Sequence, residues 1–162
     1  MSWVDSTLAV LDKMGYVGVF LAGFLGASIP FFPSFILIPL MATQLNPLIV
    51  GVVSGMGAGL GQYLHYYIGL GGRRLFSQEN RARFERWRDR YGKYGGWLIL
   101  LLAATPLTPD DIVWIPLGLM RYPKGKALAA GIVGKTILSL VYAYAGYYGW
   151  PIIDQLLNNW GL

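Results

Sequence analysis

No Asp, Glu, Lys or Arg occurs between Met14 and Gly72, a run of 59 residues in which His65 is the only titratable group besides tyrosines. A helix in water needs a charged face opposite its apolar stripe. A run of this length therefore excludes an ordinary soluble domain and makes lipid the expected solvent. Composition agrees, with 13% charged residues against roughly 25% in soluble domains. Pro30, Pro33, Pro39 and Pro47 interrupt the run. Each removes a backbone donor and crowds the turn before it, so plain spanning helices are not expected.

The 162 residues fit one integral membrane domain spanning 1–162. The absence of cysteine excludes disulfides and thiol chemistry. With a single histidine and no cysteine, neither a metal nor another cofactor is expected. The N-terminal stretch lacks the basic, apolar and small-residue order of a removable signal peptide. Net charge is +5, and eight of the 13 Lys and Arg lie between Arg73 and Lys93. Arg121, Lys124 and Lys126 form a second group. In so apolar a chain, basic clusters mark the cytoplasmic face rather than a nucleic-acid site.

Offsetting the chain against itself by about 77 residues aligns its glycines and prolines. Gly15 and Gly18 meet Gly92 and Gly95, and Pro39 meets Pro116. Gly57 meets Gly134, Gly69 meets Gly146, Gly72 meets Gly149, and Tyr67 meets Tyr144. Pro30 and Pro33 meet Pro106 and Pro109 after a one-residue gap. Two repeats follow, about 1–76 and 77–162. Each has an apolar arm, a P-x-x-P break, a shorter apolar arm, a turn with proline and a long Gly-rich segment. The long segments, Leu48–Gly72 and Ala127–Trp150, each reach the roughly 30 Å of a bilayer core.

The arms are shorter. Tyr94–Thr105 and Ile112–Met120 measure about 18 and about 14 Å as helices. They are expected to form a re-entrant hairpin with its tip at Pro106 and Pro109, and Met14–Leu45 a counterpart with its tip at Pro30 and Pro33. If the second hairpin returns to its own side, the segments 73–93 and 121–126 are both cytoplasmic and both termini lie outside. Each unit then crosses an odd number of times, so the repeats are inverted and the tips meet near mid-membrane. The linker Ser77–Lys93 carries Phe84, Trp87 and Tyr91 among arginines. It reads as an amphipathic helix on anionic headgroups, and Ser2–Lys13 and Pro151–Leu162 as interfacial segments with tryptophan.

Few side chains are available for chemistry. Asp110 and Asp111 follow Pro109 at the second tip, where a carboxylate is costly and so implies a purpose. They read as a proton, cation or amine site, or as an N-cap for the following arm. Lys135 lies nine residues into the last long segment, too deep to snorkel, and needs a partner such as Asp110, Asp111 or a lipid phosphate. Gln62 and His65 add polarity to the first long segment. The glycines at 55, 57, 59 and 61 read as a close-packing surface. No catalytic constellation is present in the sequence, so an enzyme is not expected.

The stretch Phe24–Ala42, FLGASIPFFPSFILIPLMA, resembles the first hairpin of the DedA family, also called the VTT or SNARE-associated Golgi protein family. Ala104–Ala127, ATPLTPDDIVWIPLGLMRYPKGKA, is similar to that family's second hairpin, and Gly55–Gly72 with Arg73 and Arg74 matches in style. Typical members carry a glutamate near the position of Gly26 or Phe35 and an arginine near Ala103 or Ala104; this chain has neither. The resemblance implies paired re-entrant hairpins and movement of phospholipid or polyprenyl phosphate between leaflets, and in some members proton-dependent export.

The expectation is an all-α multi-pass protein of the cell membrane, with substrate or ion path residues Asp110, Asp111, Lys135, His65 and Gln62. Lipid transport is the first reading. A proton-coupled exporter of small ions or drugs, and a non-transporting scaffold, are the alternatives. Membrane lipids are the expected partners, with homo-oligomerisation left open.

Overall fold

The computed structural model describes residues 13–29, 34–105 and 111–160, with the backbone alone at 111, 112, 150 and 152–160. The described residues are almost wholly helical, with no strand among them. In chain order they form α1 (Tyr16–Ser28), α2 (Ser34–Gln44), α3 (Pro47–Gly72), a 3-10 turn (Arg73–Leu75), α4 (Gln78–Ala103), α5 (Asp111–Leu119) and α6 (Lys124–Trp160). The four tip prolines Pro30, Pro33, Pro106 and Pro109 lie outside the described residues.

Local chemistry explains the boundaries. Asn46 accepts from the Leu48 and Ile49 N–H groups at 3.0 and 3.3 Å, and Pro47 takes the first helical position. Proline costs nothing there because its missing donor would be free anyway. Ser77 accepts from the Asn80 N–H at 3.4 Å and starts α4. Gly15, at φ 53°, turns the chain into α1.

Two helices are long and apolar enough to cross a membrane, over Pro47–Leu75 and Lys124–Gly149. The first encloses the expected Leu48–Gly72, and the second covers the expected Ala127–Trp150 up to Gly149. By contrast α1, α2 and α5, of 13, 11 and 9 residues, extend about 20, 17 and 14 Å.

Three breaks expected from sequence are absent. Pro39 sits inside α2 rather than interrupting it. The linker and the following arm are one helix, α4, because no proline separates them. The glycines at 92, 95 and 96 do not break it either; Gly95 and Gly96 receive the ring of Tyr122. Helix α6 likewise continues through Pro151 to Trp160, so the C-terminal segment extends the long helix.

Glycine sets the packing of α3. Gly51, Gly55 and Gly59 face α6, where an added Cβ would strike Leu140, Thr136 and Ile132 respectively. The partner numbers fall as the α3 numbers rise, so α3 and α6 run antiparallel. Gly57 and Gly61 lie against the Phe20 and Phe24 carbonyls of α1. The alternating glycines thus serve two different neighbours, and the close-packing expectation is met.

The short helices α2 and α5 are each wedged against the long helix of the other half. Gly146 of α6 abuts Pro39 of α2, and Gly69 of α3 abuts Ile115 of α5. The core divides accordingly. One cluster joins Val19, Ala22, Leu37, Met41, Val50 and Ala143. The other joins Tyr66, Ile99, Trp114, Leu117, Tyr122 and Ala127. Along α3 they are anchored by Val50 and Tyr66, and along α6 by Ala143 and Ala127. They therefore occupy opposite ends of the bundle.

Candidate functional site

Between the two clusters lies a cavity of 160 Å³, reached by α1, α2, α3, α6 and the end of α4. On α1 its wall includes Gly23, packed on the Ser54 carbonyl of α3, and Gly26, packed on the Ser34 side chain of α2. Its polar groups are Ser34 at the start of α2, Thr105 just after α4, and Lys135, Ser139 and Tyr142 on α6. The α6 residues are spaced i, i+4 and i+7, which places them on one helix face.

Lys135 stands midway along the apolar span Lys124–Gly149 of α6, about 12 Å from each of the cluster residues Ala127 and Ala143. It is half-buried, whereas Ser139 is buried. On α3 the cavity is lined by Ala58, which is likewise midway between Val50 and Tyr66. A lysine at this depth cannot reach a headgroup region by extending its chain. Its side chain lines the cavity where α1, α2 and the end of α4 converge.

The other expected path residues are not all brought to this cavity. Gln62 is buried one turn beyond Ala58, and its Oε1 has no hydrogen-bond partner among the described residues. His65 is half-buried farther along α3. Neither lines the cavity. Helix α5 begins at Asp111, but the Asp111 side chain and the whole of Asp110 lie outside the described residues. The pairing of Lys135 with either acid therefore does too.

A polar clamp that the sequence did not reveal fastens the cationic end. Arg73, 6% exposed, donates through Nη1 to the Leu119 carbonyl at 2.6 Å and through Nη2 to Glu85 at 2.5 Å. It links the end of α3 to the end of α5 and to α4. The Tyr66 hydroxyl donates to the Tyr122 carbonyl at 2.7 Å. Arg121 adopts φ 54° between these two fixed carbonyls, turning the chain sharply from α5 into α6. The chain that leaves this end past Gly95 is back beside it at Tyr122. Read from the sequence, Arg73 signalled only which side is cytoplasmic. On α6 sequence reasoning singled out Lys135 and missed Ser139 and Tyr142, which the i+4 and i+7 spacing could have found, whereas the roles of Ser34 and Thr105 depend on the tertiary fold.

The first part of α4 presents Trp87 and Tyr91 outward at 57 and 53% exposure, with exposed Arg83, Arg86 and Arg90 around them. Phe84 instead packs edge-on against Phe76, with ring centroids 5.5 Å apart. Among the described residues, no group of three or more His, Cys, Asp or Glu could hold a metal ion.

A family model for the VTT domain matches residues 29–148, covering both long helices, the cavity residue Lys135 and the Arg73 clamp. Neither a curated protein nor a solved structure matches the chain. With most of its length matched, and with two helices suited to a bilayer, this chain is a membrane protein belonging to the VTT-domain family.

Proposed function

We propose that this protein moves lipid headgroups between leaflets, as a transporter and not an enzyme. The observation that carries the reading is Lys135, a cation midway along a spanning helix and lining a polar cavity between two oppositely placed cores. Lys135 engages the lipid phosphate, the hydroxyls of Ser34, Thr105, Ser139 and Tyr142 replace its water, and the acyl tails remain in the bilayer. Asp110 and Asp111 hold a proton or an amine near the tip. Gln62 and His65 extend the polar path along α3.

The architecture we propose is an inverted repeat with two re-entrant hairpins, α1–α2 and α4–α5. Three features support it. The long helices are antiparallel. The reciprocal contacts Gly69–Ile115 and Gly146–Pro39 are related by the repeat offset to within one residue. The two cores are built from equivalent positions, with Ala22, Leu37 and Val50 matched by Ile99, Trp114 and Ala127. In the cell membrane the arginine-rich end faces the cytoplasm and its basic α4 binds anionic headgroups.

The test uses purified protein in vesicles carrying a fluorescent phospholipid. Wild type is expected to equilibrate the lipid between leaflets, and Lys135→Met to slow this by at least about tenfold, as expected for loss of one charge contact. Equal rates for wild-type and protein-free vesicles would overturn the reading.

The cavity's 160 Å³ is below the roughly 300 Å³ of a usual ligand pocket. That favours, as the second reading, a proton-coupled path for a small ion. Solute flux driven by a pH gradient, without lipid movement, would select it.

A further inference from the structure

A second recess lies outside the cavity, between α4 and α6 at the cationic end. It has a volume of 370 Å³, with Gly92, Gly96, Leu100, Ala129 and Ala130 along its floor and Trp97 beside it. It is a wedge. Farther along, Gly134 of α6 meets the Leu100 carbonyl and Ala103 of α4, and the two helices close. At the open end stand Lys93 from α4 and Lys126 from α6.

Both lysines are exposed, and neither is in an ion pair among the described residues. The nearest acids along α4 are engaged elsewhere, Asp89 with Arg88 at 2.9 Å and Glu85 with Arg73. Lys93 Nζ rests 4.8 Å from the centre of the Tyr94 ring, and Trp97 is 69% exposed. Lys93 is also the last charged residue of α4, and only apolar or small residues follow to Ala103. The open end of the wedge therefore coincides with the change from charged to apolar sequence, where headgroups meet hydrocarbon.

We infer that this wedge binds one anionic phospholipid of the bilayer, with its phosphate between Lys93 and Lys126 and one acyl chain along Gly96 and Leu100 toward Gly134. Charge complementarity selects the occupant. Two cations contributed by different helices line one recess, and beyond them its walls are mostly apolar, with the Tyr122 ring among them. A partner helix would fit the apolar floor but would leave both ammonium groups without a counter-charge. The inference is separate from transport through the Lys135 cavity, since a lipid held here stays bound whether or not that cavity conducts.

Native mass spectrometry of the delipidated protein tests it, with phosphatidylglycerol and phosphatidylcholine of identical chains as probes. Wild type is expected to retain one phosphatidylglycerol about tenfold more tightly than phosphatidylcholine. K93Q with K126Q removes that preference. Ala129→Leu, an exposed position on the floor, weakens both lipids alike by filling the channel. R121Q with K124Q, which deletes equal charge at the same end but outside both α4 and the wedge, leaves the preference intact. The proposal is overturned if the K93Q/K126Q protein keeps its preference, or if R121Q/K124Q loses it equally. It is also overturned if Ala129→Leu retains both lipids fully, or if that change instead splits a dimer covering the wedge.

Discussion

The two ends of the bundle are packed alike and fastened differently. At the first end, α2 is held on α6 by apolar contacts around Leu37, Met41, Val50 and Ala143. At the second, α5 is held on α3 by the same kind of apolar contact plus the Arg73 and Tyr66 hydrogen bonds. At the repeat offset Tyr66 corresponds to Ala143 and Tyr122 to Leu45, so the Tyr66–Tyr122 bond has no equivalent pair in the first half. Apolar shape seats a short helix on a long one at both ends, and the second adds polar bonds where charged sequence meets the bundle. Chain chemistry also fits location, because Arg73, Arg121, Lys124 and Lys126 all cluster at the clamped end.

The strongest challenge to this equivalence is steric. Gly69→Ala and Gly146→Ala each push a methyl group into the backbone of Ile115 or Pro39. Each is expected to cost about 2–3 kcal/mol, the upper part of the range for overpacking, read from thermal unfolding in detergent. Similar losses at the two sites sharpen the comparison; a large loss at one and none at the other breaks it. Next in size is Arg73→Met, which leaves the Leu119 carbonyl without its donor and Glu85 without its partner. A cost of about 2 kcal/mol is expected, with Arg73→Lys intermediate because it cannot make both bonds at once.

The sequence made the long helices legible, because Leu48–Gly72 and Ala127–Trp150 are apolar and sit behind turn prolines. It also made the glycine surface of α3 legible, and the depth of Lys135. It misled at Pro39 and Pro151, where proline lies inside a helix. Local rules count the lost donor, whereas tertiary packing against Gly146 offsets that loss for α2. The join between the linker and the following arm within α4 was hidden because charge changes sharply at Lys93 while helix formation does not. The clamp was invisible for a different reason. Arg73 and Leu119, or Tyr66 and Tyr122, are far apart in the chain, and nothing periodic links them.

Smaller effects test single bonds. Tyr66→Phe deletes only the hydroxyl that reaches the Tyr122 carbonyl, and about 1–1.5 kcal/mol is expected. Asn46→Ala removes the cap of α3 and should cost about 0.5–1 kcal/mol. Because Asn46 belongs to the first end and Tyr66 to the clamped one, the pair also shows how each end responds to loss of a polar contact.

The central claim is that these two ends face opposite sides of the membrane. The chain has no cysteine, so single thiols report sidedness without background. The decisive measurement places Asn46→Cys and Lys124→Cys separately in cells and adds a membrane-impermeant maleimide. The account predicts that Asn46→Cys labels on intact cells and Lys124→Cys only after permeabilisation. Labelling of both from the same side would contradict it.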